Sequence, residues 1–513
     1  MLKNIFNTIK LPGVRSNVFN LSHDFKASFK MGELVPSCVM EVVPGDKFTI
    51  SVENMLRFAP LVSPVMHRIK VTTHYYFVPN RLLWPEWDKF ITGETESEHP
   101  RFNPAGGGFT PSNLATYLGF PAEVASDNNL NPFSLAAYQL IWDEYYRDQN
   151  LQDPRFTPLV AGFNNLSAAA QGPLYKKAWN HDYFTSCLPF AQKGDPVSLP
   201  LFNNDNILVT TTADGSQPVV RKTADNALSP TVENLKSDQN GVLTQNNDGN
   251  VYLDPNGSLE VDIEGESTTI NSLRRAFRLQ EWLERDARGG TRYIENIFAH
   301  FGVKSSDARL QRPEYVGGGY QNMVISEVLS TAQTDPSGSQ EVPVGYLAGH
   351  GISAGGSKRF KYRAEEHGWL IGILNVQPVT AYFQGLPRMY SRQDRLDYYW
   401  PAFANIGEQE VYNKEIKYDT AAAPDGDNVF GYIPRYAEYK YIPNRVAGEM
   451  QDTLKFWHLA RDFSATPVLN ESFIECNPSD RIFAVQNAEH IYAHVYNNVK
   501  AVRKMPVFGT PTI

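Results

Sequence analysis

Cysteine is scarce. Cys38, Cys187 and Cys476 are the only three in 513 residues, an odd count at wide spacing that excludes a disulfide framework and favours free, buried thiols in a reducing cytosol. Long apolar runs are missing too. The longest, Trp369 to Val376, falls far short of the roughly 20 residues that span a bilayer, and Met1 to Lys10 is polar and basic without the apolar h-region of an export signal. No membrane partner is expected.

Metal and nucleophile motifs are equally thin. His490 and His494 stand four apart, but no third ligand and no H-E-x-x-H arrangement completes a site. They read as two half-buried strand histidines, with metal none and cofactor none. Gly351-Ile-Ser-Ala-Gly355 matches the G-x-S-x-G elbow formally, yet Ser353 lies between Gly349-His-Gly351 and Gly355-Gly-Ser-Lys-Arg359. Those flanks are loop chemistry, where the elbow needs a strand and then a helix. The same glycines nearly spell a P-loop, but Ser357-Lys358 stands where Lys then Ser/Thr is required, and Gly317 to Gly319 lacks a dinucleotide-fold context. A flexible glycine-rich loop without catalytic residues is expected, and the chain is expected not to be an enzyme. Paired carboxylates of a glycoside hydrolase leave no sequence spacing to read, so that class stays open here.

What is abundant points to β structure. The 34 prolines and 36 glycines, with 42% hydrophobic and 20% charged residues, describe a globular chain of many turns and short strands. Lys47 to Glu53 alternates apolar and polar residues, as do Ile69, Val71, Thr73, Tyr75 and Phe77; both predict strands with one buried face. Pro44-Gly45-Asp46 predicts a turn before the first, and Leu34 to Val43 a further strand. Trp369 to Leu374 is nearly continuously apolar, which predicts a central strand buried on both faces. Helices are expected as inserts at Ser134 to Arg147 after Asn131-Pro132, at Ser272 to Arg288, and more briefly at Ala447 to Ala460.

Charge is unevenly placed. Residues 203 to 271 hold eleven carboxylates against Arg221, Lys222 and Lys236, so −8 of the chain's net −9 lies in one segment. Short β-like runs at Ile207 to Thr212, Gly241 to Thr244, Asn250 to Leu253 and Leu259 to Ile263 are separated by Asp-Gly and Asn-Gly turns there. A small β excursion is expected, with a disordered linker as the alternative.

The last quarter is dense in aromatics: Phe430-Gly-Tyr-Ile-Pro-Arg-Tyr-Ala-Glu-Tyr-Lys-Tyr-Ile-Pro443, then Phe456-Trp-His-Leu-Ala-Arg461 and Asn470-Glu-Ser-Phe-Ile-Glu-Cys-Asn-Pro-Ser-Asp480. Such density suits packed surfaces better than a catalytic pocket. Together with Asp182 to Phe190, Glu284 to Tyr293, Asp307 to Tyr315, Glu366 to Leu374 and Phe403 to Val411, this run resembles the major capsid proteins of the microviruses, in particular the gokushovirus branch. The matching segments keep the family's order from about residue 20 onward, whereas about 203 to 271 matches nothing nameable.

The resemblance implies a mainly β fold, an eight-stranded jelly-roll β-sandwich with long helical and loop insertions. It implies pentamers of the chain within an icosahedral shell around a circular single-stranded DNA genome, built in the host bacterial cytoplasm and ending in the virion. A small basic packaging protein, a minor pilot protein and a host cell-surface receptor are the further partners it implies. Three parts are expected: 1–202 as the first part of the jelly roll, 203–271 as an acidic surface protrusion, and 272–513 as the remainder. Lys3, Lys10, Arg15, Lys500, Arg503 and Lys504, interleaved with Ile5, Phe6, Phe19 and Phe508, are candidates for phosphates and stacked bases. Asp225, Glu233, Asp238, Asp248 and Asp254 are candidates for a host-facing insertion. The rival reading is a jelly-roll carbohydrate-binding protein or glycoside hydrolase.

Overall fold

The computed structural model describes residues 16–94, 97–104, 108–124, 129–195, 197, 270–307, 311–331, 345–418, 428–486 and 488–508, with six short strands between 209 and 261. The chain divides into two compact units, one of residues 192–285 and one of everything else.

The larger unit is a sandwich of antiparallel sheets. Its first strands are β1 (Asn17–Asn20), β2 (His23–Phe29), β3 (Leu34–Val42), β4 (Lys47–Phe58) and β5 (Ile69–Pro79). The smaller unit holds β6 (Val209–Thr211), β7 (Val220–Lys222), β8 (Lys236–Ser237), β9 (Leu243–Gln245), β10 (Gly249–Leu253) and β11 (Leu259–Val261). The larger unit resumes with β12 (Glu314–Asn322), β13 (Val324–Leu329), β14 (Leu347–Gly356), β15 (Phe360–Arg363) and β16 (Gly368–Pro378). It ends with β17 (Glu408–Tyr412), β18 (Val429–Pro434) and β19 (Ile491–Arg503).

One sheet has seven strands, ordered β1-β19-β4-β14-β13, with β2 also on β19 and β15 also on β4; the other has four, β12-β5-β16-β3. The two sheets hold eleven strands, more than the eight expected: β1 and β2 divide one edge of β19, β14 and β15 divide one edge of β4, and β12 and β13 are consecutive runs that fall in different sheets.

Period-two alternation decides which side chains fill the sandwich. From β4, Phe48, Ile50, Val52, Leu56 and Phe58 point inward; from β19, Ile491, Val495 and Val499 do; β5 and β16 supply Val71, Tyr75, Leu370, Leu374 and Val376 to the same core, while Leu34 and Ile371 are buried on the other face of their sheet. Polar contacts also bridge the sheets inside it. The Asn54 amide donates to Thr73 Oγ1 at 2.8 Å, the Asn497 amide donates to the Ser37 carbonyl at 2.8 Å, and the Tyr75 hydroxyl donates to Asn497 Oδ1. Each buried amide thereby gains a partner that would be lost on a register slip.

Helix Phe133–Tyr145 is buried along most of its length, with Asn131 Oδ1 accepting from the Phe133 amide at its start. Tyr138 donates to the Leu34 carbonyl and Trp142 Nε1 to the Lys176 carbonyl, which fastens the helix to the sandwich. Among the described residues no helix is long and apolar enough to cross a membrane.

Two expectations need correction. Residues 349–356 are not a flexible loop but lie in β14, and their glycines answer to space. A Cβ at Gly349 would stand 2.3 Å from the Ser63 carbonyl oxygen, and one at Gly356 2.1 Å from that of Val52. Ala447 to Ala460 is not an α-helix but two 3-10 turns, Gly448–Gln451 and Lys455–Trp457. Its carbonyls go to side chains instead: Arg481 donates to those of Lys455, His458 and Ala460, and His458 to that of Met450.

In the smaller unit β7, β10, β9 and β8 form one antiparallel sheet and β11 pairs with β6. The four expected runs there correspond to β6, β9, β10 and β11. β7 and β8 carry no strong alternation and were not expected. Helix Ile270–Gly289 follows.

Candidate assembly and nucleic-acid surfaces

The aromatic run of the last quarter divides. Phe430 and Ile433 turn inward and, with Tyr183, Phe184, Tyr382, Val411 and Phe473, build a second hydrophobic cluster around the β17–β18 hairpin. Neighbouring residues turn outward. Three 3-10 turns, Arg388–Tyr390, Arg395–Asp397 and Pro401–Phe403, present Tyr390, Tyr398, Tyr399 and Trp400 to solvent, joined by Tyr439. Trp400 is 48% exposed, and grouped with Tyr398, Tyr399 and Tyr439 it makes an exposed aromatic patch, a candidate contact surface.

This platform is braced from below. Arg392 pairs with Glu438 at 3.1 Å and lies over the Tyr439 and Tyr398 rings. Gln409 donates to Glu438 and accepts from the Tyr436 amide, while Tyr436 takes a positive φ of 62° to start helix Ala437–Lys440. The Tyr399 and Tyr436 rings meet edge to face, 4.9 Å apart. Deeper, Arg388 stands 3.7 Å from Glu415 and donates to the Glu410 carbonyl. Burial pushes the Glu415 carboxyl up, opposed by Arg388, and its oxygen accepts from the Tyr183 hydroxyl at 2.9 Å. Rings already held in place lose little entropy when a partner covers them.

A basic surface forms where distant strands meet. Register places Lys500 opposite Thr49, and Thr49 opposite Lys361; one step on, Val502, Lys47 and Arg363 form the next row. Lys47, Lys361, Arg363 and Lys500 are all exposed on the outer face of the seven-stranded sheet. The sequence pattern marked only Lys500, since the others are single charges in ordinary alternating strands.

Arg503 belongs elsewhere. Three residues from Lys500, it falls on the opposite face, where it donates to Asp46 Oδ2 at 3.0 Å and to the Glu41 carbonyl at 3.1 Å. Lys504 is exposed just beyond the strand. Lys3, Lys10 and Arg15 lie outside the described residues, though Asn17 pairs directly with Arg503 and so starts the described chain beside this basic end. Asp225, Glu233, Asp238, Asp248 and Asp254 also lie outside them.

The remaining candidates are structural. Ser353 is buried in β14, donating to the Asn322 carbonyl at 3.0 Å and accepting from Gln321 at 2.9 Å. His490 is buried, stacked on Phe483 at 4.1 Å and hydrogen-bonded to the Val485 carbonyl, whereas His494 is exposed beside Asp24. Both were expected half-buried; His490 precedes β19 and packs below it, so the spacing does not place them on one face. Among the described residues no three His, Cys, Asp or Glu gather as metal ligands. All three cysteines are free and buried, and burial raises the Cys38 and Cys476 thiols to about 12. They stay protonated and inert.

Known proteins share this chain's sequence along its length. A family described as capsid protein (F protein) matches residues 9–513. The capsid protein VP1 of Chlamydia phage 1 is 35% identical, the match covering 100% of this chain and 98% of that one. That of Bdellovibrio phage phiMH2K is 35% identical over 98% and 96%, and that of Spiroplasma virus 4 is 28% identical over 99% and 97%.

Proposed function

The chain belongs to the phage capsid protein (F protein) family and is a structural component of the virion, and from that premise we propose that its copies close an icosahedral shell around a single-stranded DNA genome. The braced aromatic platform at 388–403 and 436–439 carries the reading. It is apolar, rigid and uncovered in the single chain, and a second copy is the partner that a self-assembling coat supplies. Pentamers are the assembly unit in this reading.

The genome is met by the row of Lys47, Lys361, Arg363 and Lys500, with Lys504 and the basic N-terminal residues Lys3, Lys10 and Arg15 beside it. Point charges spaced along paired strands can neutralise successive phosphates without reading sequence. Residues 203–271 form the host-facing insertion that meets a cell-surface receptor, supported by their −8 charge, which a polyanionic interior would repel. The three-part layout 1–202, 203–271 and 272–513 goes with this assignment. A small basic packaging protein and a minor pilot protein complete the particle. The chain has no catalytic role; Ser353 sits mid-strand with both hydrogen bonds spent on neighbours.

Assembly is the test. Trp400→Ser combined with Tyr398→Ser should leave a folded protein that sediments as small species while the wild type forms particles visible by electron microscopy. Particles of unchanged yield and size from the double variant would remove the platform from the shell contacts.

A further inference from the structure

A second cationic site lies on the outer face of the four-stranded sheet. Pairing sets two rows across it: Tyr320, Thr72 and Asn375 in one, Asn322, Lys70 and Gln377 in the next. Lys177 reaches over the second row, donating to Gln377 Oε1 at 3.2 Å and to Asn180 Oδ1 at 3.0 Å. Between them is a hollow of about 480 Å³, within the roughly 300–1,000 Å³ typical of small-molecule sites. Gly318 and Gly319 line it, and close strand packing requires glycine there, since a Cβ on Gly318 would strike the Thr73 carbonyl oxygen at 2.2 Å.

The chemistry of the lining is one-sided. Two lysines line the hollow and no carboxylate does. Lys177 is half-buried, and its two partners are neutral amide oxygens. A partly desolvated cation paired only with neutral groups gains from a bound anion. Burial is the main cause that lowers the Lys177 pKa, with Cys476 opposing it and Lys70 adding to it.

Neutral groups add direction. Burial holds His74 down to about 4, so it is neutral, and its Nδ1 lies 3.0 Å from the Tyr146 hydroxyl, which in turn accepts from Tyr76. Asn375 is 2% exposed; its amide donates to the Glu33 carbonyl, and its Oδ1 is left without a partner. Such an acceptor is ordinarily met by a donor, from ordered water or from a ligand. Tyr320, 79% exposed at the rim, offers a flat ring at the mouth.

We infer that this hollow holds one nucleotide of single-stranded DNA, its phosphate on Lys70 and Lys177, its base stacked on Tyr320 with an exocyclic amine toward Asn375. The inference rests on the genome-binding reading above but uses a different sheet from the Lys47–Lys361–Arg363–Lys500 row. The two sites can therefore fail separately.

The probe is dCMP titrated into the full-length protein, with inorganic phosphate in parallel. Saturable dCMP binding is expected, weakened about tenfold or more by Lys70→Ala and by Lys177→Met. Tyr320→Ala should weaken dCMP and leave phosphate unchanged. Lys70 and Tyr320 are exposed, so their variants decide the matter even where Lys177→Met does not fold. Absent dCMP binding at millimolar concentration, or binding indifferent to Lys70→Ala, overturns the inference. If long single-stranded DNA still binds in a salt-dependent way in that case, the genome reading stands without the hollow. Binding of dCMP with none of long DNA overturns the assignment to a genome strand. Loss of particle assembly in Lys70→Glu by a protein that never bound dCMP overturns it as well, in favour of a carboxylate from a neighbouring copy.

Discussion

Lys500 and Arg503 show how much one residue of register matters. Lys500 points to solvent from β19, whereas Arg503 is spent on the buried Asp46. Lys500→Ala should reduce the salt slope of single-stranded DNA binding by roughly 0.7 with little change in stability. Arg503→Ala should instead cost about 1.5–3 kcal/mol, the range for a hydrogen bond to a charged group, with the slope unchanged. Salt titrations and urea midpoints of the two variants separate the roles; the reverse pattern would put Arg503 on the DNA.

Two histidines link folding to pH. Burial is the main cause that brings His67 and His74 down to about 4 from an ordinary 6.5. The unfolded chain therefore binds more protons between those values, and stability is lost as pH falls through that window, by up to about 1.4 kcal/mol per pH unit for each histidine. Glu33 and Glu415 work the other way, since burial raises their carboxyls and the fold takes up their protons first. Urea midpoints from pH 7 to pH 4 should therefore fall less steeply in His67→Asn with His74→Asn than in the wild type. Parallel curves would mean that neither ring is neutral because of burial.

At the scale of elements, β16 is the strand most enclosed. It lies between β3 and β5 and is buried along nearly its whole length, with Ile371 fully inaccessible. Ile371→Ala should cost about 2–5 kcal/mol, the usual range for a buried Ile cut to Ala. A change of a few tenths in a soluble form of the protein would contradict the burial of this strand on both faces. Strand β12 depends on the opposite property. A Cβ at Gly317 would meet the Phe360 ring at 2.6 Å, so this glycine run is needed for close approach to its neighbours.

At the scale of the molecule, the division of the chain into 192–285 and the rest isolates the acidic segment in its own unit. Carboxylates placed among genome phosphates would demand extra counterions, whereas facing outward they are hydrated and screened within about 10 Å at 0.1 M salt. Replacing 203–271 by a short Gly/Ser linker should leave the sandwich folded and impair attachment to cells. Limited proteolysis of intact particles is the direct check, with the earliest cuts expected in this segment; full protection there, with cleavage elsewhere, would place it inside or between subunits.

The β class, the strands at 47–53 and 69–77, the core strand after Trp369 and the helix beginning near Ser134 were all determined by the sequence itself. Each depends on a period or a cap that spans only a few neighbouring residues. Family membership was legible for a similar reason, as ordered local motifs along one chain. Tertiary structure alone decided the rest. It brought Lys47, Lys361 and Lys500 into adjacent rows, gathered Lys70, Lys177 and Asn375 around one hollow, and turned the glycines around Ser353 from an apparent loop into a packed strand. It also sent Phe430 inward and Trp400 outward from one aromatic region. Pairing between strands hundreds of residues apart sets these neighbours, and no local pattern records which strand lies beside which.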